Sequence, residues 1–292
     1  MEIKIAEICG LCNGCKRAID TVFKEVKNGR EVVIFKEIVH NKNVNKMLVD
    51  NGALTLDNLN DLKSNHLVII RGHGETPQVF DYLHNNKIEY RDCTCPNVLK
   101  IHEKIVEYSA QGYEIILLGK HKEKMHPEVE GNIAWSTTNC YLVEDQDDIQ
   151  KIPNAKNKKY YIACQTTFNM QKAEVYIEAL KNHLKDCEII INKSLCTAQK
   201  EINNSSANLA KTVDIMIVVG GKNSSNSKEL YKHMSSIRPS IFIEDINTYR
   251  QELQNANIAI TKDSKIGITA GASTMKEELQ NLKQLIEKDY NF

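Results

Sequence analysis

Three cysteines each stand between a short β-branched run and an amphipathic helical stripe, and this repeated pattern constrains the fold more than any other feature of the chain. Each cysteine follows a predicted strand: Cys12 follows residues 3–8, Cys95 follows residues 88–90 and Cys196 follows residues 188–191. After each cysteine, apolar residues recur at the three- and four-residue spacing of a helix. Because the cysteines lie close to a third of the chain apart, the pattern predicts three similar α/β units that each contribute one thiol to a shared centre.

The predicted position of each cysteine at the start of a helix favours its thiolate form. The positive end of the helix macrodipole lowers a cysteine pKa, and metal ligation requires the thiolate. Cysteines in such places are also often small buried apolar residues under a helix end. The pattern by itself leaves both interpretations open.

Further β-branched runs alternate with helical stripes along the rest of the chain. The predicted strands are residues 31–35, 67–70, 114–118, 159–163, 214–219 and 265–269. Strands that alternate with helices indicate a parallel α/β architecture, in which functional residues follow the carboxyl ends of the strands.

Charge and hydropathy exclude several classes of protein. The chain has 38 Lys+Arg and 38 Asp+Glu, so no net field attracts nucleic acid, and an anionic ligand must be held by local side chains. No apolar run approaches the roughly 18 residues that span a bilayer, and the first residues do not lead into a signal-type apolar core. We therefore expect a cytoplasmic protein, with no membrane or nucleic-acid partner, whose nine cysteines are reduced.

Nine short motifs occur in order along the chain and together are similar to those of a known family. They are Gly-Leu-Cys-Asn-Gly at 10–14, Glu-Ile-Val-His-Asn at 37–41, Gly-His-Gly at 72–74, Cys-Thr-Cys-Pro at 93–96, His-Pro-Glu-Val-Glu-Gly at 126–131, Gln-Thr-Thr at 165–167, Cys196, Lys-Asn-Ser-Ser-Asn-Ser at 222–227 and Thr-Ala-Gly-Ala-Ser at 269–273. Over essentially its whole length the chain resembles the LytB (IspH) family of 4-hydroxy-3-methylbut-2-enyl diphosphate reductases, which are oxidoreductases.

The resemblance implies a fold, a domain division and a cofactor. The fold is a trefoil of three pseudo-symmetric α/β domains, each a small, mainly parallel sheet flanked by helices, around a central iron–sulfur cluster. The implied domains are residues 14–95, 96–192 and 193–292, with residues 1–13 completing the third. The implied cofactor is a 4Fe–4S cluster bound by Cys12, Cys95 and Cys196, which leaves one iron without a protein ligand.

The resemblance also implies an activity. The family removes the C4 hydroxyl of (E)-4-hydroxy-3-methylbut-2-enyl diphosphate with two electrons and two protons, which gives isopentenyl and dimethylallyl diphosphate at the last step of the methylerythritol phosphate pathway of isoprene biosynthesis. The implied partners are this allylic diphosphate and an electron donor such as ferredoxin or flavodoxin. An iron with an open position can act as a Lewis acid while the cluster supplies electrons.

Hydroxide is a poor leaving group, so the departing oxygen needs a proton from an acid whose pKa is raised in a closed pocket. The resemblance assigns this role to Glu128, with Thr166 and His126 beside it. Without the resemblance, Glu128 would be interpreted as a solvated loop acid.

The chain has no Walker-type phosphate loop, so other groups must bind the diphosphate. The implied donors are His40, His73, His126, Ser224, Ser225, Asn226 and Ser273. Taken alone, such a Ser/Asn cluster is typical of a turn or a helix cap, and a lone histidine is typical of a loop or core position.

The chain departs from the family pattern at two positions. Cys15 stands where the family commonly has a small apolar residue, which creates a ferredoxin-like Cys9-x-x-Cys12-x-x-Cys15 run that competes with the dispersed ligand set. Gln199 stands where many relatives have a threonine that helps to bind phosphate. Two other functions also remain open on the sequence: a non-catalytic iron–sulfur or zinc-binding regulatory protein, and a thiol oxidoreductase that uses Cys9 and Cys12.

Overall fold

The computed structural model describes residues 1–290, apart from the side chain of Ser225, and these residues form three four-stranded sheets flanked by helices. The strands are β1 (Glu2–Ile5), β2 (Val32–Phe35), β3 (Leu54–Leu56), β4 (Leu67–Ile70), β5 (Glu89–Asp92), β6 (Glu114–Leu118), β7 (Cys140–Val143), β8 (Lys159–Cys164), β9 (Glu188–Asn192), β10 (Ile215–Val219), β11 (Ser240–Ile243) and β12 (Lys265–Ala270). The helices are α1 (Asn13–Lys27), α2 (Lys42–Asp50), α3 (Pro77–Asn85), α4 (Pro96–Ala110), α5 (Pro127–Ala134), α6 (Gln146–Ile149), α7 (Met170–His183), α8 (Thr197–Ala210), α9 (Ser225–Ser235), α10 (Tyr249–Asn255) and α11 (Lys276–Asp289).

The chain divides into two compact units. The first comprises Met1–Gly29, Lys36–Thr55 and the chain from Thr197 onward, and the second comprises Arg30–Phe35 and Leu56–Cys196. The sheet of the first unit has the strand order β1-β12-β10-β11, with every neighbouring pair parallel. The N-terminal strand therefore completes a sheet built from the last third of the chain.

All five residues of β10 are buried, which explains their continuous apolar run, since a central parallel strand is covered on both faces. One face of this sheet packs on α11 through Leu279, Leu282 and Ile286. The regularly spaced apolar residues of α11 thus form part of the core of the first unit.

Apart from β3, the strands of the other two sheets lie in the second unit. These sheets have the strand orders β3-β2-β4-β5 and β7-β6-β8-β9. The pairs β2–β4, β4–β5, β6–β7, β6–β8 and β8–β9 are all parallel. The inner strands β2, β4, β6 and β8 are almost wholly buried, and loops extend from their carboxyl ends at residues 35, 70, 118 and 164.

The structure confirms the predicted class of small parallel sheets flanked by helices, and it corrects some details. The strand predicted at residues 3–8 ends at Ile5, although the next residues still follow β12 through a bond from Ala6 N–H to the Ile268 carbonyl (2.9 Å). The strands β3, β7 and β11 were not predicted. The domain boundaries at 95/96 and 192/193 stay a prediction. Among the described residues, no helix combines the length and apolar character needed to cross a bilayer.

Candidate active site

Each of the three predicted cysteine ligands lies where a helix begins, as the sequence pattern predicts. Cys12 is the N-cap of α1, Cys95 is the N-cap of α4 with Pro96 next to it, and Cys196 directly precedes α8. The backbone N–H of each cysteine donates to a loop that follows a strand: Cys12 to Ala272 O (3.1 Å), Cys95 to Gly72 O (3.0 Å) and Cys196 to Thr166 O (2.7 Å). The three thiols are therefore anchored in the same way.

The environment of Cys12 stabilises a thiolate. Its Sγ accepts a hydrogen bond from the backbone N–H of Cys15 at 3.5 Å. The side chain of Cys15, followed by the backbone N–H groups of Cys15 and Gly14, lowers the pKa of Cys12 to about 6 against the effect of burial. A thiol with that pKa is mostly ionised at neutral pH, which suits metal ligation.

Cys9 has the opposite environment. Its side chain is buried, its Sγ donates to the Ala6 carbonyl at 3.0 Å, and burial raises the pKa of the thiol. A protonated, buried thiol is a poor metal ligand. The contrast between Cys9 and Cys12 argues against the local ferredoxin-like run.

Cys196 receives a side-chain contact that the sequence analysis missed. Asn97, in the first turn of α4, places its amide Nδ2 at 3.6 Å from Cys196 Sγ, where it can donate a weak hydrogen bond. Asn97 is two residues after Cys95, so the start of α4 carries Cys95 and also contacts Cys196. The only sequence signal was the position of an amide side chain in the first turn of the helix.

Glu128 is buried at the first turn of α5 and is paired with Thr166. The backbone N–H of Thr166 donates to Glu128 Oε1 at 2.6 Å, and its hydroxyl donates to Oε2 at 2.8 Å. Burial raises the pKa of Glu128 to about 7, although Thr166 and Asn132 lower it. The carboxyl can therefore hold a proton at neutral pH and release it, which is what a general acid requires.

Two histidines lie near this acid. His126 is the N-cap of α5, and its Nδ1 accepts from the backbone N–H of Glu128 at 3.2 Å. This assignment places the ring hydrogen on Nε2. The ring of His73 meets that of His126 edge to face, with centroids 5.4 Å apart.

Gly74 explains why a histidine follows β4 between two glycines. Its φ is +75°, and a Cβ at this position would lie 2.7 Å from His102 Cε1. Only glycine combines this backbone conformation with such close packing. The tight turn holds His73 half-buried at the carboxyl end of β4.

The first unit collects the remaining predicted diphosphate ligands. Ser273 Oγ donates to the His40 carbonyl at 3.4 Å, and Asn41 Nδ2 donates to the Ser273 carbonyl at 3.1 Å. Gly221 also lies against His40, because a Cβ there would be 2.5 Å from the His40 carbonyl. The loops after β10 and β12 therefore meet the segment before α2.

The start of α9 contributes polar groups to the same place. Ser224 caps α9, and its Oγ accepts from the backbone N–H of Ser227 at 3.3 Å. Asn226 is half-buried in the first turn. The side chain of Ser225 lies outside the described part of the chain. A helix start with polar side chains is a suitable anion site.

The predicted site residues fall into two groups. The structure brings Cys12, His40, Ser224, Asn226 and Ser273 into the first unit, and Cys95, Cys196, His73, His126, Glu128 and Thr166 into the second. In the second unit Thr166 links the acid to a cysteine, because its carbonyl accepts from Cys196 while its hydroxyl donates to Glu128.

The chain is similar to known proteins over nearly its whole length. A family model described as LytB protein matches residues 3–287. The chain is 34% identical over 295 residues to a 4-hydroxy-3-methylbut-2-enyl diphosphate reductase of Clostridioides difficile (strain 630), covering 98% of this chain and 99% of that protein. It is 34% identical over 280 residues to the protein of the same name from Alkaliphilus oremlandii (strain OhILAs), covering 94% and 95%.

The fold is also similar to solved structures. A structure of the E-1-hydroxy-2-methyl-but-2-enyl-4-diphosphate reductase from Plasmodium falciparum aligns with a TM-score of 0.84 at 29% identity, covering 98% of this chain and 88% of that one. A second, described as (E)-4-hydroxy-3-methyl-but-2-enyl diphosphate reductase, the terminal enzyme of the non-mevalonate pathway, aligns with a TM-score of 0.74 at 27% identity, covering 99% and 100%.

Proposed function

The chain belongs to the LytB protein family, and we propose that it reduces (E)-4-hydroxy-3-methylbut-2-enyl diphosphate to isopentenyl and dimethylallyl diphosphate, the last step of the methylerythritol phosphate pathway. The reaction takes up two electrons and two protons: one proton leaves with the C4 hydroxyl as water, and the other ends on the allyl carbon chain. The observation that carries the proposal is the buried carboxyl of Glu128, which accepts two hydrogen bonds from Thr166. The carbonyl of Thr166 in turn accepts a hydrogen bond from the backbone N–H of Cys196.

The three helix-start cysteines fit an iron–sulfur cluster. Cys12 is ionised near neutral pH, Cys196 has an amide donor beside its sulfur, and each cysteine is held at its backbone by a neighbouring loop. We assign a 4Fe–4S cluster to Cys12, Cys95 and Cys196, with one iron lacking a protein ligand. Such a cluster, when bound, supplies electrons and Lewis-acid chemistry at the substrate hydroxyl.

Glu128 and Thr166 move the proton in this scheme. Protonated Glu128 is the acid, and the Thr166 hydroxyl, 2.8 Å from Oε2, is placed to relay a proton to the departing oxygen. His126 N-caps the helix that carries Glu128, so its ring and the carboxyl are held in one rigid turn. Burial of Glu128 excludes water that would otherwise compete for the proton.

The diphosphate is bound by neutral donors. His40, Ser224, Ser225, Asn226 and Ser273 supply these groups in the first unit, and His73 and His126 supply ring N–H groups in the second. Charge-assisted hydrogen bonds from neutral donors are strong enough to hold an anion when several converge. The electrons come from a small donor such as ferredoxin or flavodoxin, and the enzyme acts in the cytoplasm.

Anaerobic reconstitution tests the proposal. The chain is loaded with iron and sulfide and assayed with the allylic diphosphate and a chemical reductant, with Glu128→Gln as the matched control because it keeps the shape of the acid. We expect both proteins to carry the cluster and only the parent to form the two products at a substantial rate. A parent protein that assembles a cluster and consumes no diphosphate would favour a non-catalytic iron–sulfur protein.

A further inference from the structure

The buried polar residues Asn132, on the same helix as Glu128, and His102, on α4, have no part in the proposed reaction. Asn132 lies one helical turn after Glu128 on α5, so the two side chains share a face. Asn132 is 0% exposed and His102 is 5% exposed. Buried polar groups of this kind are normally satisfied by a partner, so each one calls for an explanation.

His102 approaches Asn132 from the neighbouring helix. It lies on α4, which packs against α5, and its ring stacks on Trp135 with centroids 5.3 Å apart. A Cβ on Gly131 would lie 3.8 Å from His102 Nε2, so this nitrogen faces α5 one residue before Asn132. Burial lowers the pKa of His102 to about 4, so the ring is neutral.

The carboxamide of Asn132 is not committed to any other group. Within residues 1–290, neither its Nδ2 nor its Oδ1 has a partner at hydrogen-bond distance, and the same is true of His102 Nε2. The amide nevertheless acts on both neighbours, because it lowers the pKa of Glu128 and raises that of His102. In these two effects the carboxamide acts as a donor toward Glu128 and as an acceptor toward His102.

In the proposed reaction Glu128 requires a further hydrogen-bond donor such as the Asn132 amide. When Glu128 releases its proton, a carboxylate remains in a buried site, and the Thr166 hydroxyl is engaged in the relay. A buried carboxylate requires hydrogen-bond donors to be tolerated. The titratable groups around this site are His102 from α4, Asp92 at the end of β5, whose charge raises the pKa of His102, and His126 at the start of α5. Thr166 from the loop after β8 and Asn132 are neutral donors.

We propose that Asn132 is a positioning residue for Glu128: its carboxamide, held on the far side by His102, orients the Glu128 carboxyl toward Thr166 and stabilises the carboxylate left after proton transfer. This inference rests on the proposed role of Glu128 as the proton donor. It assigns Asn132 no contact with substrate.

The first test compares pH profiles of reconstituted Asn132→Leu, Asn132→Asp and parent protein. Loss of the amide donor raises the pKa of Glu128, so the alkaline limb of kcat should move upward by about 0.5–1 pH unit in Asn132→Leu. Asn132→Asp keeps the size of the side chain and adds a like charge, so it should move the limb further in the same direction. Ile133→Ala changes an apolar residue of the same helix that packs against the cluster containing Ile101 and Val129; it is the control and should leave the alkaline limb of kcat unmoved.

A double-mutant cycle separates a positioning role from a structural one. Asn132→Leu should lower kcat by about tenfold in the parent and by less than about twofold in Glu128→Gln, because the residue it positions is already disabled. Equal losses in both backgrounds, or an unmoved alkaline limb in both Asn132 variants, would overturn the proposal.

The third measurement does not depend on activity. Isotope-edited infrared spectroscopy of the Glu128 carboxyl, in protein without cluster, should show its titration shifted upward in both Asn132 variants. If the parent proves inactive, the proposed function fails while this titration still decides the role of Asn132. If the titration is unchanged in an active enzyme, the function stands and the inference is wrong.

Discussion

Thr166 donates twice to Glu128, from its backbone N–H to Oε1 at 2.6 Å and from its hydroxyl to Oε2 at 2.8 Å, while its own carbonyl accepts from Cys196. One residue therefore holds the acid and the backbone of a proposed cluster ligand. This arrangement predicts that binding and chemistry can be separated by changing the acid alone.

Glu128→Gln should lower kcat by about 10²–10⁴-fold with little change in KM, because an amide keeps the size of the side chain but delivers no acidic proton. Single-turnover reduction by the reconstituted variant measures this directly. Thr166→Val should show a smaller loss, because the carboxylic acid remains and the backbone N–H of residue 166 still donates to its Oε1. Turnover of Glu128→Gln at the parent rate would make the carboxylate a bystander.

Glu128→Gln should also make the folded protein more stable above neutral pH. The folded-state pKa of about 7 lies above the ordinary value of 4.5, so the stability of the parent falls as pH rises between these values, whereas the amide does not titrate. The advantage of the variant should be near zero at pH 4 and reach a few kcal/mol by pH 8. Denaturant unfolding of cluster-free protein at both pH values checks the sign, and a constant difference would contradict it.

Serine at Cys12, Cys95 or Cys196 should prevent stable cluster assembly, because each substitution removes one thiolate of the proposed set. Cys9→Ser and Cys15→Ser are the matched controls and should retain the visible absorption of the reconstituted protein. If Cys15→Ser lost the absorption and Cys196→Ser kept it, the local ferredoxin-like run would replace the dispersed set.

His40→Ala and Ser225→Ala should each weaken binding of the diphosphate product by about 1.5–3 kcal/mol, the usual value of a hydrogen bond to a charged group. Ser236→Ala is the control, because that serine lies at the other end of α9 and its hydroxyl donates to the His233 carbonyl. Calorimetry on reconstituted protein measures the affinities. The proposed pocket fails if both variants bind as the parent does.

Gly74→Ala should destabilise the protein more than Gly112→Ala. Both glycines have positive φ, which costs an alanine about 1–2 kcal/mol. At Gly112 a Cβ meets nothing within 4 Å, whereas at Gly74 it lies 2.7 Å from His102, which adds overpacking of about 1–3 kcal/mol. The Tm values of the two variants compare these costs. Equal decreases in Tm would mean that the His102 side chain can move aside without an energetic cost.

The helix starts at Cys12, Cys95 and Cys196 were predictable because each depends on local signals: a β-branched run, a short turn and an apolar stripe at helical spacing. The central strands were predictable for the same reason, since a strand covered on both faces must be apolar throughout. The edge strands β1, β5 and β9 were predicted because a cysteine and a helix start follow each of them. The edge strands β3, β7 and β11 have no such following signal, and each depends on its pairing with a neighbouring strand.

By itself, the sequence determined the parallel α/β class, the helix-start position of the three cysteines and, through its motifs, the resemblance to a reductase family. Only the tertiary structure decided that Thr166 forms hydrogen bonds with both Glu128 and the backbone of Cys196, and that the Asn97 amide contacts the sulfur of Cys196. It also decided that His102 faces the helix that carries Glu128 and Asn132. The reason is physical. Secondary structure follows from residues a few positions apart, whereas a buried carboxyl acquires its pKa from groups that are distant in the chain and meet only when helices and strands pack.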